Sequence, residues 1–478
     1  MKLIVKYIAA TFIAAAVFSS CKKTFDLNPT HTIDGDDFFT NVDDYDFALT
    51  GAYQRLKQNS LYSGVNGGSV WLTGPDLAAD NLYSGGSANL GNLNTLFRWN
   101  YASDEPVVQG AWDAAYLVIQ QANLAMRGID RFTATDATKV NRIEGQARVI
   151  RAHMHFELLR WWANDYDRNA TSLGIAYVDK FDVEQKPARL TVKESYDKIE
   201  ADLKAAKAML LNTDRSIQST TSTDGTARAY ADAMVCDAIL ARMYLYANQM
   251  DSAIKYSSLV IAARPLATDP NEFYSIWEDA STREVIWSVK YQSGNAAMSR
   301  EIYDVAAERS SWLPVTALLS LYGGSDIRAP SYFSSIGGSI VLTKYYAKTA
   351  ALANPDGVVD LKLYRTGEMY LIRSEAYARK ALGTQALADL NFLRAARGAS
   401  TGAETGNALL TAIQTERRKE LVAEGHRFFD LKRTTRVVSR TQDCSIYCNL
   451  PSTNRAWAFP IPRTEMLANP NMVQNTGY

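Results

Sequence analysis

A helical period of apolar residues, repeated through long segments, restricts the fold of this chain more than any other feature. Between Asp43 and Gln58, the side chains of Tyr45, Leu49, Ala52, Tyr53 and Leu56 fall on one face. Val107–Gly128 carries Trp112, Tyr116, Ile119 and Asn123 at the same spacing, and Lys139–Trp162 carries Ala147, Ile150, Met154, Leu158 and Trp161. Val192–Leu211 continues the pattern, with Thr191 as its expected N-cap. Two stretches break it. Residues 59–104 are interrupted by Gly64, Gly67, Gly68, Gly74, Gly85, Gly86 and Gly91, with room for one short helix over Pro75–Leu82. Residues 264–360 offer only two strand-like runs, Glu284–Tyr291 and Ser339–Tyr345. Irregular stretches this long are usually functional, because loops on a rigid frame can carry binding groups.

Two further segments combine small residues with aromatics. Ala229–Val260 places Ala238, Ala241 and Tyr244 before a turn at Asn248–Asp251, then Ala253 and Tyr256. Tyr370–Arg397 repeats the scheme around Gly383-Thr384, with Ala388, Leu390 and Leu393 after the turn. Both resemble tetratricopeptide helix hairpins, although their uneven spacing makes a scaffold and not a regular array. The expected fold class is mostly α: a tetratricopeptide-like helix-hairpin scaffold with long irregular loop insertions and a few short strands. The expected organisation is a signal peptide over 1–20, a lipid-anchored tether over 21–40, an N-terminal helical region over 41–263, and a C-terminal region over 264–478 that contains the insertion 264–360.

The first residues read as an address. Lys2 and Lys6 precede an apolar run from Ile8 to Phe18. At 1.5 Å per residue it is too short for about 30 Å of hydrocarbon, so it reads as a cleaved export signal. Phe18-Ser19-Ser20-Cys21 resembles a bacterial lipobox, in which Cys21 would be acylated and become the first residue of the mature chain. Leu is more usual where Phe18 stands. Of the other cysteines, Cys236 sits in a helical apolar pattern and reads as a small buried hydrophobe. Cys444 and Cys448 are close enough for a small disulfide loop, which export permits; the spacing leaves bonded and free both open.

Composition removes several function classes. The 51 basic and 51 acidic residues cancel, which argues against nucleic acid as a partner. No phosphate-binding or dinucleotide glycine motif occurs, and no G-x-S-x-G nucleophile elbow. His153 and His155 lie two apart on an expected helix and point away from each other, so they cannot share a metal. No pair of carboxylates stands out for glycoside chemistry, and neither catalysis, a metal nor a cofactor is expected. What remains is aromatic surplus: 26 Tyr, 9 Trp and 16 Phe. Aromatic faces bind the C–H faces of sugar rings while amides and guanidinium groups bond the hydroxyls. In the irregular stretches the expected ligand-binding residues are Asn66, Trp71, Asn81, Tyr83, Asn89, Tyr303, Arg309, Trp312 and Tyr332. Trp112, Trp161, Trp162 and Trp287 fall in helix or strand patterns and read as core.

The C-terminal third is the most specific part. Thr415-Glu-Arg-Arg-Lys-Glu-Leu-Val-Ala-Glu-Gly-His-Arg-Phe-Phe-Asp-Leu-Lys-Arg433 reads as a charged helix stopped near Gly425 and followed by an aromatic-bearing one. The chain then runs through Phe459-Pro-Ile-Pro-Arg463 and a turn at Asn469-Pro470-Asn471 into a tail ending at Tyr478. With Glu368–Ala378, Asp326-x-Arg328, Lys344-Tyr345, Trp112 to Asn123 and Cys21-x-x-x-Phe25-x-Leu27-x-Pro29, these segments closely resemble the SusD/RagB family of outer-membrane nutrient-uptake lipoproteins. The resemblance implies a non-catalytic helical protein that captures a glycan and closes over a SusC-like TonB-dependent transporter. A peptide-capturing RagB-like protein is the alternative, and a helical-repeat adaptor a more distant one. It implies attachment to the outer membrane, facing the cell surface. Lys22 and Lys23 depart from the acidic residues that surface-exported relatives often carry after the cysteine, which leaves periplasmic display open. The family's motifs do not identify ligand residues.

Overall fold

The computed structural model describes residues 38–58, 60–62, 69–84, 93–211, 228–291, 310–345 and 359–478. Helix ends follow local chemistry. Helix α1 (Val42–Arg55) begins at Asn41, whose side chain accepts from the Asp43 and Asp44 N–H groups while Asp44 accepts from the Asn41 N–H. A short helix α2 (Gly74–Leu77), strand β1 (Leu82–Ser84) and helix α3 (Asn94–Arg98) occupy the first irregular stretch. Helix α4 (Pro106–Leu124) opens on a proline, where no N–H is needed. Its end precedes the expected Gly128 because the chain turns there, with Gly128 at φ +69°. Helix α5 (Thr133–Trp162) is longer than its pattern and bends at Asp136 (φ −150°). Helix α6 (Val192–Leu210) uses the expected Thr191 cap, closed reciprocally by Glu194.

Helices α7 (Ala233–Tyr246) and α8 (Met250–Ala263) form the first small-residue hairpin, reversing at Asn248 in the left-handed region (φ +58°). The second irregular stretch holds α9 (Pro270–Ile276), β2 (Val285–Val289), β3 (Trp312–Pro314), α10 (Thr316–Leu319), α11 (Arg328–Tyr332), β4 (Phe333–Ile336) and β5 (Ser339–Leu342). Then follow β6 (Leu361–Arg365), the second hairpin α12 (Thr366–Arg379) and α13 (Gly383–Ala396), α14 (Gly406–Glu420), α15 (Arg427–Arg433), β7 (Val438–Ser439), β8 (Asn449–Leu450) and α16 (Arg463–Ala468). Packing runs as a relay: α4 on α5, α5 on α6, α6 on α7, α7 on α8, α8 on α12, and α12 on both α13 and α14. The fold is mostly helical, and among the described residues its strands form only two-stranded antiparallel ladders. Among those residues no helix is long and apolar enough to cross a membrane.

Helix α5 is the axis of the core. Every residue from Val149 to Trp162 is buried, the mark of a helix surrounded on all sides. Trp112, Trp161, Trp162 and Trp287 are buried as their periodicity predicts, and Cys236 is fully buried in α7. Three histidines are spent on packing. His153 lies between the Tyr62 and Tyr364 hydroxyls (2.8 and 3.2 Å). The Val178 N–H donates to His155 Nε2 at 3.0 Å, so Nδ1 carries the proton and donates to the Arg151 carbonyl at 2.9 Å. His426 is buried as well.

The charged C-terminal motif turns inward. Six cations (Arg328, Lys344, Arg365, Arg394, Arg397, Lys419) and five carboxylates (Glu284, Asp326, Glu416, Glu420, Glu424) form one buried ion lattice, with Glu404 pairing Arg394 at its edge. It ties the end of α14 to β6, α11 and the residue before β2. Single-sign burial would be prohibitive; paired burial with the remaining lone pairs satisfied is what makes such a cluster tolerable. The motif also reaches toward the first irregular stretch. Arg427 grips the Asp80 carboxylate at 2.6 and 2.8 Å, and Arg418 donates to Asn81 Oδ1 at 2.7 Å.

Candidate functional site

The two irregular stretches meet. Strand β1 pairs with β3, matching Leu82 to Pro314, Tyr83 to Leu313 and Ser84 to Trp312. The Val315 N–H extends the contact by donating to the Asn81 carbonyl at 2.9 Å. Tyr291, at the end of the run containing β2, donates its hydroxyl to the Tyr62 carbonyl at 3.0 Å. Residues 220 or more positions apart are thus brought together, and α15 packs against α2 beside them.

Arg440 holds this surface from beneath. Its guanidinium donates to the carbonyls of Leu77, Ala79 and Phe97 (2.7, 2.7 and 2.5 Å) and lies 4.2 and 4.0 Å from the ring centres of Phe97 and Trp99. Burial pulls its pKa down to about 9, so it still carries its charge at neutral pH. Trp99 caps α3 in the left-handed region (φ +54°) and donates its indole N–H to the Ala78 carbonyl at 2.8 Å, which leaves the ring half-buried. Cys444 and Cys448 are disulfide-bonded, resolving the alternative the spacing left open. The loop they close carries exposed Ile446 and half-buried Tyr447, with Arg98 above the Tyr447 ring at 6.0 Å. Asp76 lies under the surface with its Oδ1 accepting from Asn81 at 2.6 Å. Burial pushes its carboxyl up to about 7, moderated by Asn81 and the Ala423 N–H.

The expected ligand residues separate into three groups. Four are buried, and the reading of them as exposed loop groups is corrected. Trp71 is 1% exposed and packs on Trp162; Tyr332 is 0% exposed, with its hydroxyl on the Glu420 carbonyl and Lys344 over its ring. Trp312 is 3% exposed against Phe97, and Asn81, at 0%, is consumed by Asp76 and Arg418. The physical reason is that irregular backbone does not imply an exposed side chain. A large ring gains more by burial than a loop gains by keeping it wet. Tyr83 remains half-buried on β1. Asn66, Asn89, Tyr303 and Arg309 lie outside the described residues, as does Cys21. Sequence reasoning missed Trp99, Arg440 and Tyr447. Trp99 had a local signal, an aromatic inside the glycine-broken stretch; Arg440 and Tyr447 belong to the site only through tertiary contacts.

Two family models match the chain. One, described as starch-binding and associating with the outer membrane, matches residues 53–245. The other, described as the SusD family, matches residues 338–478. The chain belongs to the SusD/RagB family. Curated SusD/RagB relatives include SusD-like protein P38 of Formosa agariphila, 22% identical over 99% of both chains. SusD-like protein P2 of the same organism is 23% identical over 94% of this chain and 95% of its own. The fold agrees with solved structures of the superfamily. A SusD superfamily protein from Bacteroides thetaiotaomicron superposes with a TM-score of 0.78 at 22% identity, covering 91% of this chain and 99% of that one. A SusD-like carbohydrate binding protein from Bacteroides vulgatus gives 0.76 at 23% identity, covering 91% and 98%.

Proposed function

We propose that this SusD/RagB protein is a lipid-anchored, non-catalytic capture protein of the outer membrane. It holds a nutrient oligomer, a glycan, and passes it to a SusC-like TonB-dependent transporter. The observation that carries this reading is the β1–β3 ladder, which brings both irregular stretches onto one braced surface with Tyr83 and Trp99 half-exposed. A rigid frame presenting aromatic rings suits a ligand whose sugar faces are apolar and whose edges are hydroxylated. The carbohydrate binding named for the Bacteroides vulgatus relative supports the glycan over a peptide. Asn66, Asn89, Tyr303 and Arg309 complete the binding set, and acylation of Cys21 supplies the anchor, each buried methylene adding about 0.8 kcal/mol.

The test uses the mature chain with Cys21→Ser, screened against a glycan array and a peptide pool, with hits measured by calorimetry. Binding to one glycan class is expected, and Tyr83→Ala and Trp99→Ala should each weaken it at least about tenfold, about 1.4 kcal/mol. Binding only to peptides would replace the ligand class. Release of shortened oligosaccharides, or failure of the barrel to co-purify from outer membranes, would overturn the reading.

A further inference from the structure

A second concavity lies away from the β1–β3 surface. Helix α4, the 176–187 segment and the C-terminal segment around α16 enclose a groove of about 400 Å³. Trp112, Tyr116 and Met472 are apolar lining residues, and Asp113, Asp182 and Glu465 also line it. Among the described residues neither Asp113 nor Glu465 forms an ion pair; their polar partners are the amides of Gln109 and Asn469. The side-chain carbonyl of Gln120, also in the lining, is buried with no hydrogen-bond donor. An apolar floor, two uncompensated carboxylates and an unanswered acceptor together call for an occupant with apolar side chains, ammonium groups and a free backbone N–H.

The chain carries such a segment. Lys22-Lys23-Thr24-Phe25-Asp26-Leu27 precedes the described residues, and Lys22 and Lys23 are the only Lys or Arg between Cys21 and Asp37. In an extended segment Lys23, Phe25 and Leu27 share one face and span about 13 Å. From Trp112 to Gln120, α4 advances about 12 Å. The described chain starts beside the groove. Arg131 donates to the Phe39 carbonyl, Phe39 stacks on Tyr45 at 4.1 Å, and the Tyr45 hydroxyl donates to the Arg127 carbonyl at 3.0 Å. Arg127 in turn lies 5.9 Å from the ring centre of Phe181, the neighbour of Asp182. The ten residues from Asn28 to Asp37 reach about 33 Å when extended, ample for the return.

We infer that the tether is not a free leash but docks on its own body. Phe25 and Leu27 sit on the aromatic floor, Lys23 on the same face meets the Asp113 and Glu465 carboxylates with Lys22 at the rim beside it, and a tether N–H answers Gln120. The proposal is independent of what the β1–β3 surface binds. Its consequence is mechanical: the free chain between residue 21 and the body shrinks to one or two residues, and the α4–α16 face is held toward the anchor.

Disulfide trapping tests this in the mature full-length chain with Cys21→Ser. Phe25→Cys is paired either with Val183→Cys, at the groove and 82% exposed, or with Phe392→Cys, exposed on α13. Both partner sites are exposed, so neither substitution should disturb folding. Intramolecular cross-linking at position 183 should be at least about tenfold faster than at 392. Lys22→Glu with Lys23→Glu should slow it several-fold, as should 1 M salt, where screening falls to about 3 Å. Equal rates at the two positions overturn the docking, as do cross-links that form mainly between molecules. A rate at 183 indifferent to both charge reversal and salt overturns it too.

Discussion

Glu420 is the carboxylate on which three buried arginines converge, and replacing it with glutamine tests how the ion lattice stabilises the fold. Its Oε1 accepts from Arg365 Nη1 at 3.0 Å and from Arg397 Nη2 at 2.9 Å; its Oε2 accepts from Arg397 Nε and Arg328 Nη1, both at 3.1 Å. Burial would raise its pKa, but Arg397, Arg365 and Arg328 hold it well below the usual carboxylate range. Glu420→Gln keeps the volume and removes one negative charge, leaving six cations to five carboxylates with Glu404 counted. Summing the lost charged hydrogen bonds at about 1.5–3 kcal/mol each would exceed 6 kcal/mol. That sum is too large, because each arginine keeps another carboxylate: Arg397 keeps Glu284, Arg365 keeps Glu284 and Glu424, and Arg328 keeps Asp326 and Glu416. The expected cost is therefore that of unbalancing a buried cluster, about 3–5 kcal/mol, or about a hundredfold to a few thousandfold in the unfolding constant. Urea unfolding followed by tryptophan fluorescence measures it as a lower midpoint with an unchanged slope. Arg328→Met added to Glu420→Gln restores the balance and should show a coupling of at least about 1 kcal/mol. The exposed pair Lys193–Asp197, at 2.7 Å, is the reference; Lys193→Gln should cost under about 0.5 kcal/mol. A Glu420→Gln cost no larger than that reference would refute the reasoning.

Asp76 gives a pH test. Its folded pKa of about 7 lies above its unfolded value of about 3.9, so between those pH values the native state holds a proton that the unfolded chain has released. That contribution is complete below about pH 4 and is lost as pH rises through 7. Asp76→Asn should therefore match the parent near pH 3–4, exceed it by about 1.5 kcal/mol at pH 5 and by up to about 4 kcal/mol at pH 8 in urea unfolding; a constant difference across that range would count against the buried-carboxyl reading. Gly425 gives a steric test. It sits at φ +79°, and an added Cβ would lie 2.4 Å from the Trp71 carbonyl oxygen. Gly425→Ala should cost more than about 3 kcal/mol or abolish soluble expression, whereas Gly324→Ala, with open space around it, should change stability by less than about 0.5 kcal/mol.

The sequence by itself determined the helices, because amphipathic period and capping act within a few residues: the Thr191–Glu194 box, the α7–α8 turn at Asn248, and the buried tryptophans of α4 and α5 were all readable in one dimension. It also identified the C-terminal motif, though not why that motif is charged. Only the tertiary structure decided that Glu416, Arg417, Lys419 and Glu420 face inward, since their partners come from residues 326–328, 365, 394, 397 and 430. The site divides the same way. Glycine breaks marked the two irregular stretches, but their union through β1 and β3 is a pairing across some 230 residues that no local pattern encodes. Whether a loop aromatic faces ligand or core depends on what lies over it. Trp71 and Tyr332 met a core there, and Tyr83 and Trp99 kept part of their surface.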